Sequence, residues 1–176
     1  MAKLAVIDNI ISPGYQNYLE GLIGGTTFPW FYDPQITDNR EGSKDINGGF
    51  FHKVWYSPTD FTPFAEMTYG LLFEGTHKYR KGSFNELLRI RAAMFTKDQT
   101  KYEHKPHVDF EDVQHHVMLY YVNDSDGPTK IYEGDKVVKE VVPKKGRAVF
   151  FPGRTYHASS SPKHHSKRIV LNFNYR

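Results

Sequence analysis

The chain has 176 residues, a formal net charge of +3 and no cysteine. That length suits one domain, burying roughly 70% of the surface its unfolded form exposes. Without cysteine, disulfides, thiolate zinc sites, iron–sulfur clusters and cysteine nucleophiles are excluded, so His, Asp or Glu must hold any metal.

Lysines and arginines are scattered. The local group Lys144, Lys145, Arg147, Arg154, Lys163 and Lys167 reads as a solvated rim, so neither nucleic acid nor another polyanion is an expected partner. No stretch reaches the ~18 apolar residues of a membrane span. The opening run MAKLAVIDNII is broken by Asp8 and has no small-residue cleavage pattern, so a soluble, cytoplasmic protein without membrane attachment is expected.

In chain order, Val6 to Ile11 reads as a strand, followed by the helix-start signal Ser12-Pro13. Tyr15, Tyr18, Leu19, Leu22 and Ile23 then form one apolar helical stripe that stops at Gly24-Gly25. Residues 26 to 56 are rich in aromatics, Gly and Asp/Asn, with short extended pieces at Trp30 to Tyr32 and Phe50 to Tyr56. So long a connection is either a functional lid or a misread element. A second helix is expected from Thr62-Pro63, with Phe64, Met67 and Leu71 on one face, until Gly75, and Ser83 to Glu86 fits a capping box for a short helix ahead of the next strand.

From Arg89 the pattern is strand after strand: Arg89–Thr96, His115–Val122, Thr129–Tyr132, Lys136–Val142, Arg147–Phe151, Tyr156–Ser160 and Arg168–Tyr175. Turn-forming clusters such as NDSDGP and Glu133-Gly134-Asp135 separate them. The expected class is mainly β with flanking helices (α+β): one domain over 1–176, with 1–88 as helical support and lid and 89–176 as a sandwich or barrel, of which a jelly-roll is one form.

One constellation carries chemistry. His107-Val108-Asp109 places an imidazole and a carboxylate two residues apart, where extended backbone points them the same way. His157 follows the buried run Phe150-Phe151 and the turn Pro152-Gly153. Two imidazoles and one carboxylate suit Fe(II) with open coordination positions. Chance alone gives about half a His-x-Asp in a chain of this composition, so context must carry the reading. His104 is the strongest rival ligand; His115 and His116 are adjacent and face opposite ways in a strand, His164 and His165 lie in a polar turn, and His52 and His77 have no partner pattern. In the last strand Arg168, Val170, Asn172 and Asn174 share one face. That face is either wet, or it points Arg168 into a barrel mouth where a buried guanidinium requires an anion.

Tyr102 to Phe110, Met118 to Asn123, Ala148 to Gly153, His157 and Arg168 together resemble the Fe(II)/2-oxoglutarate-dependent oxygenases, in particular their prolyl 4-hydroxylase-like branch. The resemblance implies a double-stranded β-helix (jelly-roll) core buttressed by the N-terminal helices. It implies a facial triad of His107, Asp109 and His157 on Fe(II), with 2-oxoglutarate and dioxygen as cosubstrates and ascorbate as an optional reductant. Arg168 would hold the C5 carboxylate of 2-oxoglutarate. Tyr121 stands where a tyrosine hydroxyl joins that arginine in related enzymes, and it reads equally as a core aromatic. The implied reaction hydroxylates a prolyl or other peptide side chain, or a small molecule, and converts 2-oxoglutarate to succinate and CO2. The alternative is a non-catalytic, cupin-like binding module, or a metalloenzyme using His104 as a further ligand. Arg168 replaces the lysine of many collagen-type relatives, which loosens the branch assignment.

Overall fold

The computed structural model describes residues 4–34, 48–81, 84–98 and 103–176. Ser83 of the expected capping box and Tyr102 lie outside them, as do positions 35–47 of the aromatic segment. No short helix follows among the described residues, because the Asn85 and Glu86 N–H groups donate to the Arg176 carbonyl instead of opening a helical turn.

The β-branched and aromatic runs of the second half form the seven expected strands: β5 (Leu87–Thr96), β6 (His116–Tyr121), β7 (Thr129–Glu133), β8 (Lys136–Val141), β9 (Ala148–Pro152), β10 (His157–Ser159) and β11 (Lys167–Tyr175). The hairpin between β7 and β8 turns on Gly134 at φ +58°, where a Cβ would be strained. The first half supplies β1 (Ala5–Ile7), α1 (Pro13–Ile23), β2 (Phe31–Asp33), β3 (Gly49–Ser57), β4 (Asp60–Phe61) and α2 (Phe64–Arg80). The extended aromatic pieces are therefore sheet strands.

The strands make two antiparallel sheets. The larger runs β1-β9-β6-β11-β5-β3-β2, with β4 paired to β3, and the smaller runs β10-β7-β8. Alternation along β11 separates two cores. Ile169, Leu171, Phe173 and Tyr175 pack with Leu19, Ile23, Leu71 and Leu72, so the helices cover this face of the larger sheet. Val170 packs with Val117, Leu119, Tyr121, Ile131, Val141 and Val149 between the sheets. This is the expected buttressed jelly-roll arrangement.

α1 begins as its sequence signal requires, with Ser12 Oγ accepting from the Tyr15 N–H at 3.4 Å and Pro13 in the first turn. Two boundaries differ from expectation. β1 stops at Ile7 because Asn9, at φ +53°, turns the chain, and the Ile10 N–H donates to the Gly146 carbonyl at 3.0 Å. α2 continues past Gly75 to Arg80, because Gly75 is a close-approach position. A Cβ there would sit 2.5 Å from Met118 Sδ on β6. The helix ends at Lys81, left-handed at φ +52°, whose N–H donates to the His77 carbonyl at 2.7 Å. Among the described residues no helix is long and apolar enough to cross a membrane.

Phe150 is fully buried on the helix side and stacks on Tyr79 with ring centroids 4.5 Å apart. Phe150→Ala is expected to cost about 3–5 kcal/mol in urea denaturation, because the cavity lies between helix and sheet where neither can collapse freely.

Candidate metal and anion site

His107 and His157 face each other across an isolated antiparallel bridge. Each backbone N–H donates to the other's carbonyl at 3.0 Å. Such a pair projects its side chains to one side, and the two imidazoles lie 4.7 Å apart between centroids. Upstream anchors hold the segment along β10. Glu103 accepts from Lys130 Nζ at 2.6 Å and from the Tyr132 hydroxyl at 2.8 Å, and the His104 N–H donates to the Ser159 carbonyl at 2.9 Å.

Asp109, two residues after His107, completes the group. One ligand atom from each of His107, Asp109 and His157 lies within 4.8 Å of the others, the one such cluster among the described residues. Both histidines place Nδ1 against a backbone carbonyl, Lys105 O at 3.2 Å and Thr155 O at 3.1 Å. A carbonyl only accepts, so Nδ1 carries the proton and the Nε2 lone pair is left for a cation.

The carboxylate is clamped. Arg89 Nη2 donates to Asp109 Oδ1 at 2.5 Å, Asn172 Nδ2 reaches both oxygens at 3.0 and 3.1 Å, and Asn174 Nδ2 donates to Oδ2 at 2.9 Å. Burial opposes ionisation of Asp109, but the neighbouring His157, Arg89 and the Asn174 amide outweigh it and hold the carboxyl well below the usual carboxylate range. Arg89 is itself braced by donating from Nε to Asn174 Oδ1 at 2.9 Å and lies over the Phe110 ring. Burial drives the fully enclosed His157 imidazole down to about 4, against the pull of Asp109.

Arg168 forms the other end of the same cleft. It is 2% exposed, its Nη2 donates to Thr129 Oγ1 at 2.8 Å, and its Nε meets no hydrogen-bond partner among the described residues. Its guanidinium sits between the Phe95 and Tyr121 rings, at 5.6 and 5.7 Å, with no carboxylate in ion-pair reach among the described residues. Of the two readings of the β11 polar face, the enclosed one is what the fold produces. The Tyr121 hydroxyl also donates to Thr129 Oγ1, at 2.7 Å. With two donors aimed at it, Oγ1 keeps its own O–H to give elsewhere. The cleft holds about 540 Å³ of space, including its open mouth, and Ala93, Leu119 and Val170 line it between the two ends.

The other histidines stay apart from this cluster. His104 places Nδ1 2.5 Å from Ser159 Oγ against the Phe95 ring, and burial, with Arg168 nearby, pushes it down to about 3. It pins the His107 segment to β10 and lies outside the ligand group. His52 is a core residue between Pro29 O and Thr62 Oγ1, His115 bonds Val113 O, and His165 caps Asp126. Sequence reasoning missed Arg89 and Thr129. Arg89 carries a weak signal, being on the site-facing parity of β5, whereas nothing in the sequence distinguishes Thr129 from any other strand threonine.

Residues 92–176 match the family model described as the 2OG-Fe(II) oxygenase superfamily. No curated protein matches the sequence. Among solved structures, the fold is similar to a prolyl hydroxylase from Trichoplax adhaerens in complex with a hypoxia-inducible factor oxygen degradation domain peptide fragment. That match has a TM-score of 0.66 at 12% identity, covering 98% of this chain and 82% of that one. A 2OG-Fe(II) oxygenase family oxidoreductase from Burkholderia pseudomallei gives 0.74 at 9% identity, covering 98% and 84%. The viral collagen prolyl hydroxylase of Paramecium bursaria Chlorella virus-1, solved as a 2OG complex, gives 0.58 at 15%, covering 99% and 96%. At these identities the likenesses speak for the fold.

His157 titrates at about 4 in the folded protein against an ordinary 6.5, so on acidification the unfolded chain takes up the proton first. The shift costs nothing above pH 6.5, where both states are neutral, and destabilises the fold progressively as pH falls from 6.5 toward 4. Denaturant titrations of metal-free protein across that range are expected to show the loss, and His157→Asn is expected to flatten it.

Proposed function

We propose that the chain, which matches the 2OG-Fe(II) oxygenase superfamily model through residues 92–176, is an oxygenase of that kind in which His107, Asp109 and His157 hold Fe(II) while Arg168 anchors 2-oxoglutarate. Its activity is that of a 2-oxoglutarate-dependent dioxygenase. The observation that carries the residue assignments is the pairing, in one cleft, of a nitrogen, nitrogen, carboxylate cluster with a buried guanidinium that has no carboxylate partner among the described residues.

The donor set fits the metal. Two imidazole Nε2 atoms and one carboxylate are three ligands of the kind that suit non-haem Fe(II) and leave positions open. Arg168 fits one carboxylate of the cosubstrate, because a buried cation whose Nε has no partner among the described residues requires an anion. When bound, the metal and cosubstrate supply the oxidative decarboxylation to succinate and CO2 and the oxidising power for hydroxylation.

The chain's own residues do the positioning. Arg89, Asn172 and Asn174 keep Asp109 ionised and stop it rotating away from the histidines. The Thr129 O–H adds a neutral donor beside the Arg168 fork. Tyr121 serves by orienting Thr129 rather than by touching the cosubstrate, since its hydroxyl ends on Oγ1 and its ring does not line the cleft. The apolar walls between the two ends keep water from the reacting centre. The substrate is a peptide side chain, prolyl or another, or a small molecule. The peptide held by the Trichoplax structure supports the first class.

The test loads the protein anaerobically with Fe(II), ascorbate and 2-oxoglutarate, admits oxygen and measures succinate. Wild type is expected to form succinate and His107→Ala only background; equal yields would overturn the assignment of this cluster. Arg168→Gln is expected to raise KM for 2-oxoglutarate about 10- to 100-fold, the worth of a charge-assisted hydrogen bond. Tyr121→Phe, losing one neutral hydrogen bond, is expected to raise it by about 2- to 10-fold.

A further inference from the structure

Arg89 and Arg91 sit on the same face of β5, two residues apart, but in different company. Arg89 has the Asp109 carboxylate at 2.5 Å. Arg91 lies flat on the Phe51 ring, 3.6 Å from its centroid, with no carboxylate in ion-pair reach among the described residues. Through space Tyr56, Asp33 and Asp109 favour its charge and Arg89 opposes it. Arg91 lines both the cleft that holds His107, Asp109 and His157 and a groove that opens outward past Phe31, Tyr32 and Tyr56. Phe31 and Tyr32 are 64% and 60% exposed, so the groove offers aromatic surface to whatever enters.

A second atom points the same way. Asn172 is the direct cross-strand partner of Arg91 in the β11–β5 pairing. Its Nδ2 must face Asp109, because a carboxylate only accepts, and this leaves Oδ1 buried with no hydrogen-bond partner among the described residues. Beside the metal cluster, then, stand a guanidinium with no carboxylate in ion-pair reach and an amide oxygen with no donor, both among the described residues. A buried acceptor of this kind is costly unless a ligand satisfies it.

We propose that the primary substrate carries a carboxylate, held by Arg91, next to an N–H or O–H accepted by Asn172 Oδ1, making Arg91 the specificity-determining residue of this site. A free amino or imino acid and an N-acylamino acid present that pair of groups. The inference rests on the assignment of Arg168 to 2-oxoglutarate, which leaves Arg91 for the substrate.

Acid and amide pairs test it: L-proline with L-prolinamide, N-acetylglycine with N-acetylglycinamide, and phenylacetate with phenylacetamide. Each is titrated by thermal shift into protein supplied with Mn(II) and 2-oxoglutarate, and assayed for stimulation of succinate release with Fe(II). Wild type is expected to favour the acid of at least one pair about 10- to 100-fold. Arg91→Gln brings that ratio to about one, and Arg91→Lys retains part of it. Arg91→Met, which keeps an apolar stem on Phe51, is the second neutral variant should Arg91→Gln fold poorly. A wild-type ratio near one, including no response to either member of every pair, overturns the proposal, as does a ratio unchanged in the neutral variants. A rise in KM for 2-oxoglutarate in those variants, with the ratio intact, gives the cation to the cosubstrate and also overturns it. Failure of the dioxygenase reading looks different: wild type forms no succinate at all, while the acid and amide shifts still decide what Arg91 binds.

Discussion

The reciprocal backbone hydrogen bonds between His107 and His157 are the constraint on which the site depends. They join two segments fifty residues apart in a register that puts both imidazoles on one side, and the two-residue repeat of extended chain then brings Asp109 to the same place. A slip of one residue in that bridge would turn one histidine outward. The anchors upstream, Glu103 to Lys130 and Tyr132 and His104 to Ser159, act as register pins, and so His104 is a histidine of structural use in a chain that needs only two at the cluster.

Charge is the second organising fact. The cleft region gathers three arginines, 89, 91 and 168, around one ionised aspartate and two histidines, one of which burial holds neutral near pH 7. Placing cations in a low-dielectric interior is unfavourable unless anions meet them. Asp109 meets one. The remaining two stand at different depths, Arg168 enclosed behind Phe95 and Arg91 at the edge toward the aromatic groove, so the molecule is built to receive negative charge at an inner and an outer position. The helices, packed on the opposite face of the larger sheet, give the strands a rigid back and leave the inter-sheet space to the site.

Much of this was legible in the primary structure. The seven strands from β5 onward follow from β-branched and aromatic runs between turn residues, and the α1 start follows from Ser12-Pro13. The parity of β11 placed Arg168, Asn172 and Asn174 on one face. It could not say which face looks inward, since a strand alternates identically whether its polar side meets water or a cavity. α2 overran its expected end because glycine signals a stop and a close contact by the same absence of Cβ, and only the neighbour, Met118, tells them apart. Residues 30–32 and 50–56 became strands because β5 was available to pair with β3, a partner far away in the sequence.

By itself the sequence determined the chemistry on offer: no thiolate, a His-x-Asp pair on extended chain, one later histidine at a strand start, and an arginine on a polar strand face. Those are local properties, set by residue type and by the period of the backbone. Tertiary structure decided that the four converge, that Thr129 stands between Arg168 and Tyr121, that Arg89 clamps Asp109, and that Asn172 Oδ1, across from Arg91, has no hydrogen-bond partner among the described residues. Convergence of this kind depends on the register of strands distant in sequence, and no local pattern of residues encodes the distance between them.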